Sequence, residues 1–247
     1  MSDLFSTQSE AYKKYRPVYP QALYDYIFSF VNARDKALDV ATGNGQAAVA
    51  LAQTFTSVIG IDSSAAQLAR AEPKDNITYI QATAEQTFSN AHSFNLITVA
   101  QAYHWLQQEA FATEVKRIAK PGAVIAVWGY NRFITTNHQL DALLEHFYTA
   151  IVGPYWDAGR MAVDNQYRDL PFPYKPLPTK PFTIDAVWTT AQLLGYLSSW
   201  SAVQTYMQKN GTSPVGLIEK EVAQLMGDKN IGVQFPVFLR LGRIEGA

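Results

Sequence analysis

Two rhythms of apolar positions alternate along the first half of the chain. KALDVA, SVIGID, ITYIQA, FNLITVAQA and AVIAVWGY each read as a short, apolar strand, the pattern expected when both faces of a sheet are covered. Between them, GQAAVALAQTF and QQEAFATEVKRIA repeat with helical period; in the second, Phe111, Val115, Ile118 and Ala119 form one stripe. SSAAQLARAE reads as a further helix with Ser63 or Ser64 as its cap. Lys120, Pro121 and Gly122 stop the helix before the fifth strand. Ahead of the first strand, Pro20 opens a helix that places Leu23, Ile27, Phe30 and Val31 on one face.

Strands alternating with helices imply right-handed crossovers and a mostly parallel sheet, an α/β doubly wound architecture of Rossmann-like type. The alternation stops near Asn131. Residues 137–152 read as one more helix, and 153–181 as an irregular insertion with prolines from Pro171 to Pro181 interleaved with aromatics. PFTIDAVW resumes a strand. TTAQLLGYLSSWSAVQTYM and PVGLIEKEVAQLMG read as helical, and VQFPVFLRLGRI closes the chain as a strand in which Pro236 calls for an edge or a bulge.

Composition narrows the function classes. At 247 residues with 48% hydrophobic content, the chain fits one domain with a substantial core. A formal net charge of −1 and the lack of a basic run leave no electrostatic footprint for nucleic acid. Without cysteine, disulfides, thiolate metal sites and a cysteine nucleophile are excluded. The N-terminal segment is polar, and no window approaches the roughly 18 apolar residues of a membrane helix, so a soluble, cytoplasmic protein is expected. His138 and His146 do not form a metal-ligand pair, and no metal is expected.

The chemistry concentrates in ALDVATGNGQAAVALAQTF, residues 37–55. A strand, a glycine turn and a helix start form a site for an adenosine cofactor: Gly43 and Gly45 admit a tight turn and close backbone approach, and the exposed N–H groups favour negative charge. Asp62, at the end of the second strand, is placed to accept hydrogen bonds from ribose hydroxyls. A nicotinamide dinucleotide enzyme uses a similar layout, but Gln46, Ala47 and Ala48 do not complete its glycine fingerprint. Asp39 would repel a pyrophosphate and attract an amino group such as that of S-adenosylmethionine. A purely structural strand-to-helix turn is the remaining alternative.

The ordered segments ALDVATGNGQ, VIGIDSS, ITYIQATAEQTF, FNLITVAQAYHWL and EVKRIAKPGAVIAVWGYN, with YRPVYP at 15–20 and SSWSAVQTY at 198–206, resemble the class I S-adenosylmethionine-dependent methyltransferases, in the small-molecule branch related to trans-aconitate methyltransferase. Residues 137–180 are the weakest match. The resemblance implies a seven-stranded, mostly parallel sheet with an antiparallel last strand beside the fifth. It divides the single domain into an N-terminal helical segment over the cofactor site (1–35), a cofactor-binding core (36–131), a substrate lid (132–181) and C-terminal elements completing the sheet (182–247).

The resemblance also implies roles. Gly43 and Gly45 meet the methionine and ribose portions, Asp39 supports the ammonium, Asp62 takes the ribose hydroxyls and Ser63 flanks the adenine. Ala84 lines the other adenine face, with Thr83 and Glu85 near N6. Gln101 and Ala102 face the methionine moiety, and Tyr15 and Arg16 close over the site. Ala41 stands where the family has its first turn glycine, which a negative φ would accommodate. Tyr103, His104 and Trp105 follow the fourth strand, where open α/β sheets place ligands. His104 is a base or a substrate-orienting group, and Tyr155, Trp156 and Arg160 are lid contacts to the substrate. The expected acceptor is a small molecule, methylated on a carboxylate or hydroxyl oxygen, and the chain is a monomer or homodimer. The fourth strand lacks the Asn/Asp-Pro-Pro-aromatic signature of base-amino methyltransferases. A module that binds the cofactor without turnover is the second reading, and a nicotinamide oxidoreductase the third.

Overall fold

The structure, a computed structural model, describes residues 17–245. The positions expected to close over the cofactor, Tyr15 and Arg16, lie outside the described residues. The described chain clusters into two compact units: one comprises Tyr19–Asn131, Met161–Phe182 and the segment from Val237; the other comprises Pro17 and Val18, Arg132–Arg160 and Thr183–Pro236. The segment 132–181, expected as one lid, is thus divided at Arg160.

The first unit holds the parallel sheet. Its strands β1 (Lys36–Val40), β2 (Ser57–Asp62), β3 (Ile77–Gln81), β4 (Phe94–Ala100) and β5 (Ala119–Tyr130) lie in the order β3-β2-β1-β4-β5, all parallel. The last strand, Ile231–Arg243, pairs antiparallel with β5 from Tyr130↔Val237 to Val124↔Arg243. Two-residue strands at Ile134–Thr135 and Lys175–Pro176 also pair with it; too short to show a period, they leave no trace in the sequence pattern. Numbered in chain order these are β6 and β7, followed by β8 (Phe182–Trp188) and β9, the last strand. Pro236 falls between the two ladders, after Ile134↔Gln234 and before Tyr130↔Val237, so its missing N–H interrupts neither register.

On one sheet face, Leu38, Val40, Ile97, Val99, Ile125 and Val127 are wholly buried together with Phe111, Val115 and Ile118 of helix Gln108–Ile118. Each of those side chains contributes about 1.5–3 kcal/mol by leaving water. The same helix turns Glu114 inward. Its carboxylate accepts from the Thr87 backbone N–H (2.9 Å) and hydroxyl (2.6 Å) and from Nε and Nη2 of Arg117 (2.7 Å each). The Arg117 hydrogen bonds foremost, assisted by Thr87, hold its carboxyl down to about 2. The resulting stabilisation is present above the ordinary value of 4.5 and is lost as pH falls towards 2. Glu114→Gln is expected to cost about 2–3 kcal/mol in urea unfolding at neutral pH, with the gap from wild type closing in acid.

The first helix among the described residues, Gln21–Phe28, has Pro20 at its N-cap and buries Leu23, Tyr24, Ile27 and Phe28. It ends before Phe30, which is only partly buried, so the expected stripe shifts to include Tyr24 and Phe28.

The second unit is helical and aromatic. Helix His138–His146 continues into a π turn, Phe147–Ile151. The long helical run after Thr189 divides into Thr190–Ser198 and Ser201–Asn210, and helix Glu219–Met226 follows. Phe133, Trp188, Tyr196 and Phe235 pack ring against ring, with centroids 5.0–5.6 Å apart.

Candidate functional site

The glycine turn joins β1 to helix Gln46–Ala52 through three alternating departures into positive φ: Ala41 (51°), Gly43 (57°) and Gly45 (84°), with Thr42 and Asn44 between them. A Cβ on Gly43 would meet nothing within 4 Å, so the turn presents bare backbone on an open side there. A Cβ on Gly45 would lie 2.3 Å from the Tyr79 hydroxyl oxygen. Tyr79 reaches that position because its register partner on β2 is Gly60, which leaves a slot for the ring. The phenol donates to the Glu72 carbonyl (3.0 Å).

Ala41 corrects the expectation of a negative φ. An L-residue in the left-handed region costs about 1–2 kcal/mol, which glycine avoids at some cost in unfolded-chain entropy. Ala41→Gly is therefore expected to raise stability by about 0.5–1 kcal/mol in thermal unfolding.

Asp39 is 1% exposed. Its Oδ2 accepts from the Thr42 hydroxyl at 2.5 Å and its Oδ1 from the Thr98 hydroxyl at 2.8 Å; Thr98 is its register partner on β4. Burial pushes the carboxyl up to about 6, the hydrogen bonds of Thr42, Thr98 and the Ala48 backbone opposing it and the Asp62 charge adding to it. Both Asp39 oxygens are thus engaged with threonine hydroxyls, and the carboxylate ties the turn to β4. Asp62 is less enclosed. Its Oδ2 accepts from the Gly43 N–H (2.8 Å) and its Oδ1 from the Ser64 N–H (2.9 Å), so one carboxylate ties the turn to the end of β2. Each oxygen keeps a further lone pair for a hydroxyl.

Beyond β2, Ser63 is exposed and its carbonyl accepts from the Gln81 amide (3.0 Å). Thr83 is exposed and bridges to Gln86; Ala84 is buried in the core on the helix Gln108–Ile118 side. Glu85 is spent on the Gln107 N–H (2.9 Å) at the start of that helix. Of these, Ser63 and Thr83 present polar groups outward.

At the end of β4 the chain turns with Gln101 at φ 56°. The Gln101 side chain substitutes for backbone: its Oε1 accepts from the Tyr130 N–H (2.7 Å) and its Nε2 donates to the Tyr130 carbonyl (3.3 Å). This binds the ends of β4 and β5 and leaves the amide committed rather than facing a ligand, as its sequence position suggested. Ala102 is buried and precedes the short turn Tyr103–Trp105. Tyr103 is wholly buried and donates to the Pro171 carbonyl (2.6 Å), so it is a packing residue. His104 is partly exposed, lies beside the half-exposed Trp105 ring (4.7 Å) and places Nδ1 3.0 Å from the Tyr167 hydroxyl. Tyr167 and Arg240, which holds the loop beneath it, carried no signal in the sequence because neither belongs to a local motif.

The remaining candidates belong to the helical unit. Arg160 Nε donates to the Tyr148 hydroxyl (2.6 Å) and its guanidinium lies over the Trp156 ring (5.1 Å). Arg132 lies over the other ring of this group, Tyr148, at 4.3 Å and pairs with Glu145. Tyr155 is apart from them, against Tyr206 and hydrogen-bonded by Asn210. Among the described residues no group of three or more acids and histidines forms a metal site, and no helix is long and apolar enough to cross a membrane.

A family profile described as a methyltransferase domain matches residues 38–127, from β1 through β5. A Dictyostelium discoideum protein named as a methyltransferase is 33% identical over 251 residues, covering 98% of this chain and 95% of its own. A Saccharomyces cerevisiae protein named as an S-adenosylmethionine-dependent methyltransferase is 33% identical over 132 residues, 50% of this chain and 45% of its own. Among solved structures, a type II methyltransferase from Anaeromyxobacter dehalogenans superposes with a TM-score of 0.87 at 34% identity, over 94% of this chain and 99% of the other.

Proposed function

Because this chain belongs to the S-adenosylmethionine-dependent methyltransferases, we propose that its glycine turn holds S-adenosylmethionine and that its acceptor is a small molecule, methylated on a carboxylate oxygen, as in the branch related to trans-aconitate methyltransferase. The observation that carries the reading is the Asp39–Thr42–Gly43–Asp62 network. It sets bare backbone, one ribose-competent carboxylate and one buried negative charge around a single turn.

When bound, the cofactor supplies a methyl group on a sulfonium, a good leaving group for in-line displacement. The chain's part is placement and exclusion of water. Asp62 accepts from the ribose hydroxyls while retaining its two backbone donors. Asp39 contributes negative potential beneath the cationic end of the donor. Ser63 and Thr83 face the adenine. His104 orients the acceptor by hydrogen bonding, because a carboxylate nucleophile needs no base.

The test is transfer of radiolabelled methyl from S-adenosylmethionine to panels of small carboxylic acids and of alcohols. Labelled methyl esters support the reading; labelled ethers alone contradict the acceptor class. Cofactor binding with no acceptor methylated in either panel would favour the non-catalytic module. On the carboxylate, His104→Asn is expected to raise the acceptor KM by roughly tenfold, the worth of one lost hydrogen bond, and to leave the pH profile of kcat in place. Loss of turnover by a factor of about 100 or more, with the basic limb of the profile altered, would instead make His104 a base.

A further inference from the structure

We propose that Tyr167 is a positioning residue for the reaction: its buried hydroxyl donates to Nδ1 of His104, so that Nε2 carries the imidazole proton and His104 meets the acceptor as a hydrogen-bond donor. The proposal rests on the placement of His104 at the acceptor and adds the group that sets its tautomer.

Four observations carry it. The Tyr167 hydroxyl is 3.0 Å from Nδ1, and the two rings lie stacked at 5.6 Å with 30° between planes, which fixes both the bond and the ring orientation. Tyr167 is wholly buried although it sits in a loop. Gln166 and Tyr167 both adopt φ 58°, two successive left-handed residues without glycine, a backbone state that persists only where its surroundings over-determine it. Those surroundings are present. Arg240 of β9 donates Nη1 to the Tyr167 and Leu170 carbonyls, and its guanidinium rests on Phe172 (4.5 Å). Tyr103 donates to the Pro171 carbonyl, and Phe238 meets the Tyr167 ring edge-on at 5.0 Å. Two elements, β9 and the Tyr103–Trp105 turn, thus converge on one loop, and its Tyr167 hydroxyl reaches His104.

The direction of the bond follows from the partners. A phenol is a stronger donor than a neutral imidazole N–H, and an imidazole nitrogen is a stronger acceptor than a phenol oxygen. Donation from Tyr167 occupies Nδ1 as acceptor and leaves the proton on Nε2. A histidine ring nitrogen is oriented and given its tautomer by what the other nitrogen bonds.

Nitrogen-15 NMR of the imidazoles reads this directly, using the full chain with S-adenosylhomocysteine present. At a pH where His104 carries a single proton, wild type is expected to show one tautomer, with Nε2 protonated. Tyr167→Phe keeps the buried ring and removes only the hydroxyl; it is expected to show averaged shifts with several-fold more Nδ1–H form. A wild-type spectrum with Nδ1 protonated, or a tautomer ratio unchanged in Tyr167→Phe, overturns the proposal. In methyl transfer, Tyr167→Phe is expected to raise the acceptor KM, with no added loss when combined with His104→Asn. Additive losses would make Tyr167 a packing residue alone and overturn the positioning role. If His104→Asn leaves turnover untouched while the tautomer still responds to Tyr167→Phe, the hydrogen bond stands and the acceptor-site placement of His104 is what fails.

Discussion

Asp39→Asn is expected to unfold at higher temperature than wild type at neutral pH and yet to bind S-adenosylhomocysteine at least about tenfold more weakly. The two effects have one source. Folding takes the Asp39 carboxylate out of water and raises its proton affinity from the ordinary 3.8 to about 6, so the folded chain holds an ionised acid at a cost above that pH. The sign follows from the raised value: the protein is favoured with the proton on, and this contribution is lost as pH rises from 3.8 through 6. An uncharged isostere removes the cost, for a gain of about 3 kcal/mol at neutral pH, and the gap between variant and wild type vanishes in acid. The same substitution is expected to remove negative potential near the ligand's ammonium, which S-adenosylhomocysteine retains, and with it about 1.4 kcal/mol or more of binding. Thermal melts across pH, with a ligand titration of each protein, check both halves. A variant that loses stability at neutral pH would show that the carboxylate is needed to hold the turn together rather than to hold a ligand.

Gly45→Ala is expected to cost about 3 kcal/mol and to abolish measurable cofactor binding. The backbone there is at φ 84°, which an L-residue occupies at a cost of about 1–2 kcal/mol. The new methyl would stand 2.3 Å from the Tyr79 hydroxyl oxygen and 2.9 Å from the adjoining ring carbon, inside contact distance. The ring cannot retreat by rotation about its own axis, because its edge already lies over Gly60. It must leave the slot and give up the hydrogen bond to the Glu72 carbonyl, at a cost of about 1 kcal/mol more. The two contributions separate in the Tyr79→Ser background, where Gly45→Ala should cost only the backbone part. Equal losses in both backgrounds would remove Tyr79 from the account.

The sheet was legible because its strands are short, apolar and separated by helical periods, and because Asp39, Gly43, Gly45 and Asp62 fall at strand ends where chain spacing alone brings them together. A helix cap at Ser63 or Ser64 was legible for the same local reason, and Ser64 is the one that caps, its hydroxyl accepting from the Gln67 N–H. What escaped the sequence is the work done between distant segments. Nothing near Gln101 indicates that its amide replaces backbone for Tyr130, and nothing near Tyr167 indicates that it meets His104. Ala41 misled because an alanine in a turn suggests ordinary φ, whereas the geometry around Thr42 and Gly43 imposes a positive one. The strands β6 and β7, two residues each, have no pattern to read. The insertion after Asn131 gave composition without topology: prolines and aromatics marked it as irregular, but not that it divides at Arg160 between two compact units.

The most direct test of the central claim is calorimetric titration of the folded protein with S-adenosylhomocysteine, repeated on Asp62→Ala. A saturable one-site heat with wild type, lost in the variant while NAD gives none with either protein, is the predicted result. Heat from NAD and none from S-adenosylhomocysteine, or full affinity in Asp62→Ala, would contradict the assignment of this turn as the cofactor site.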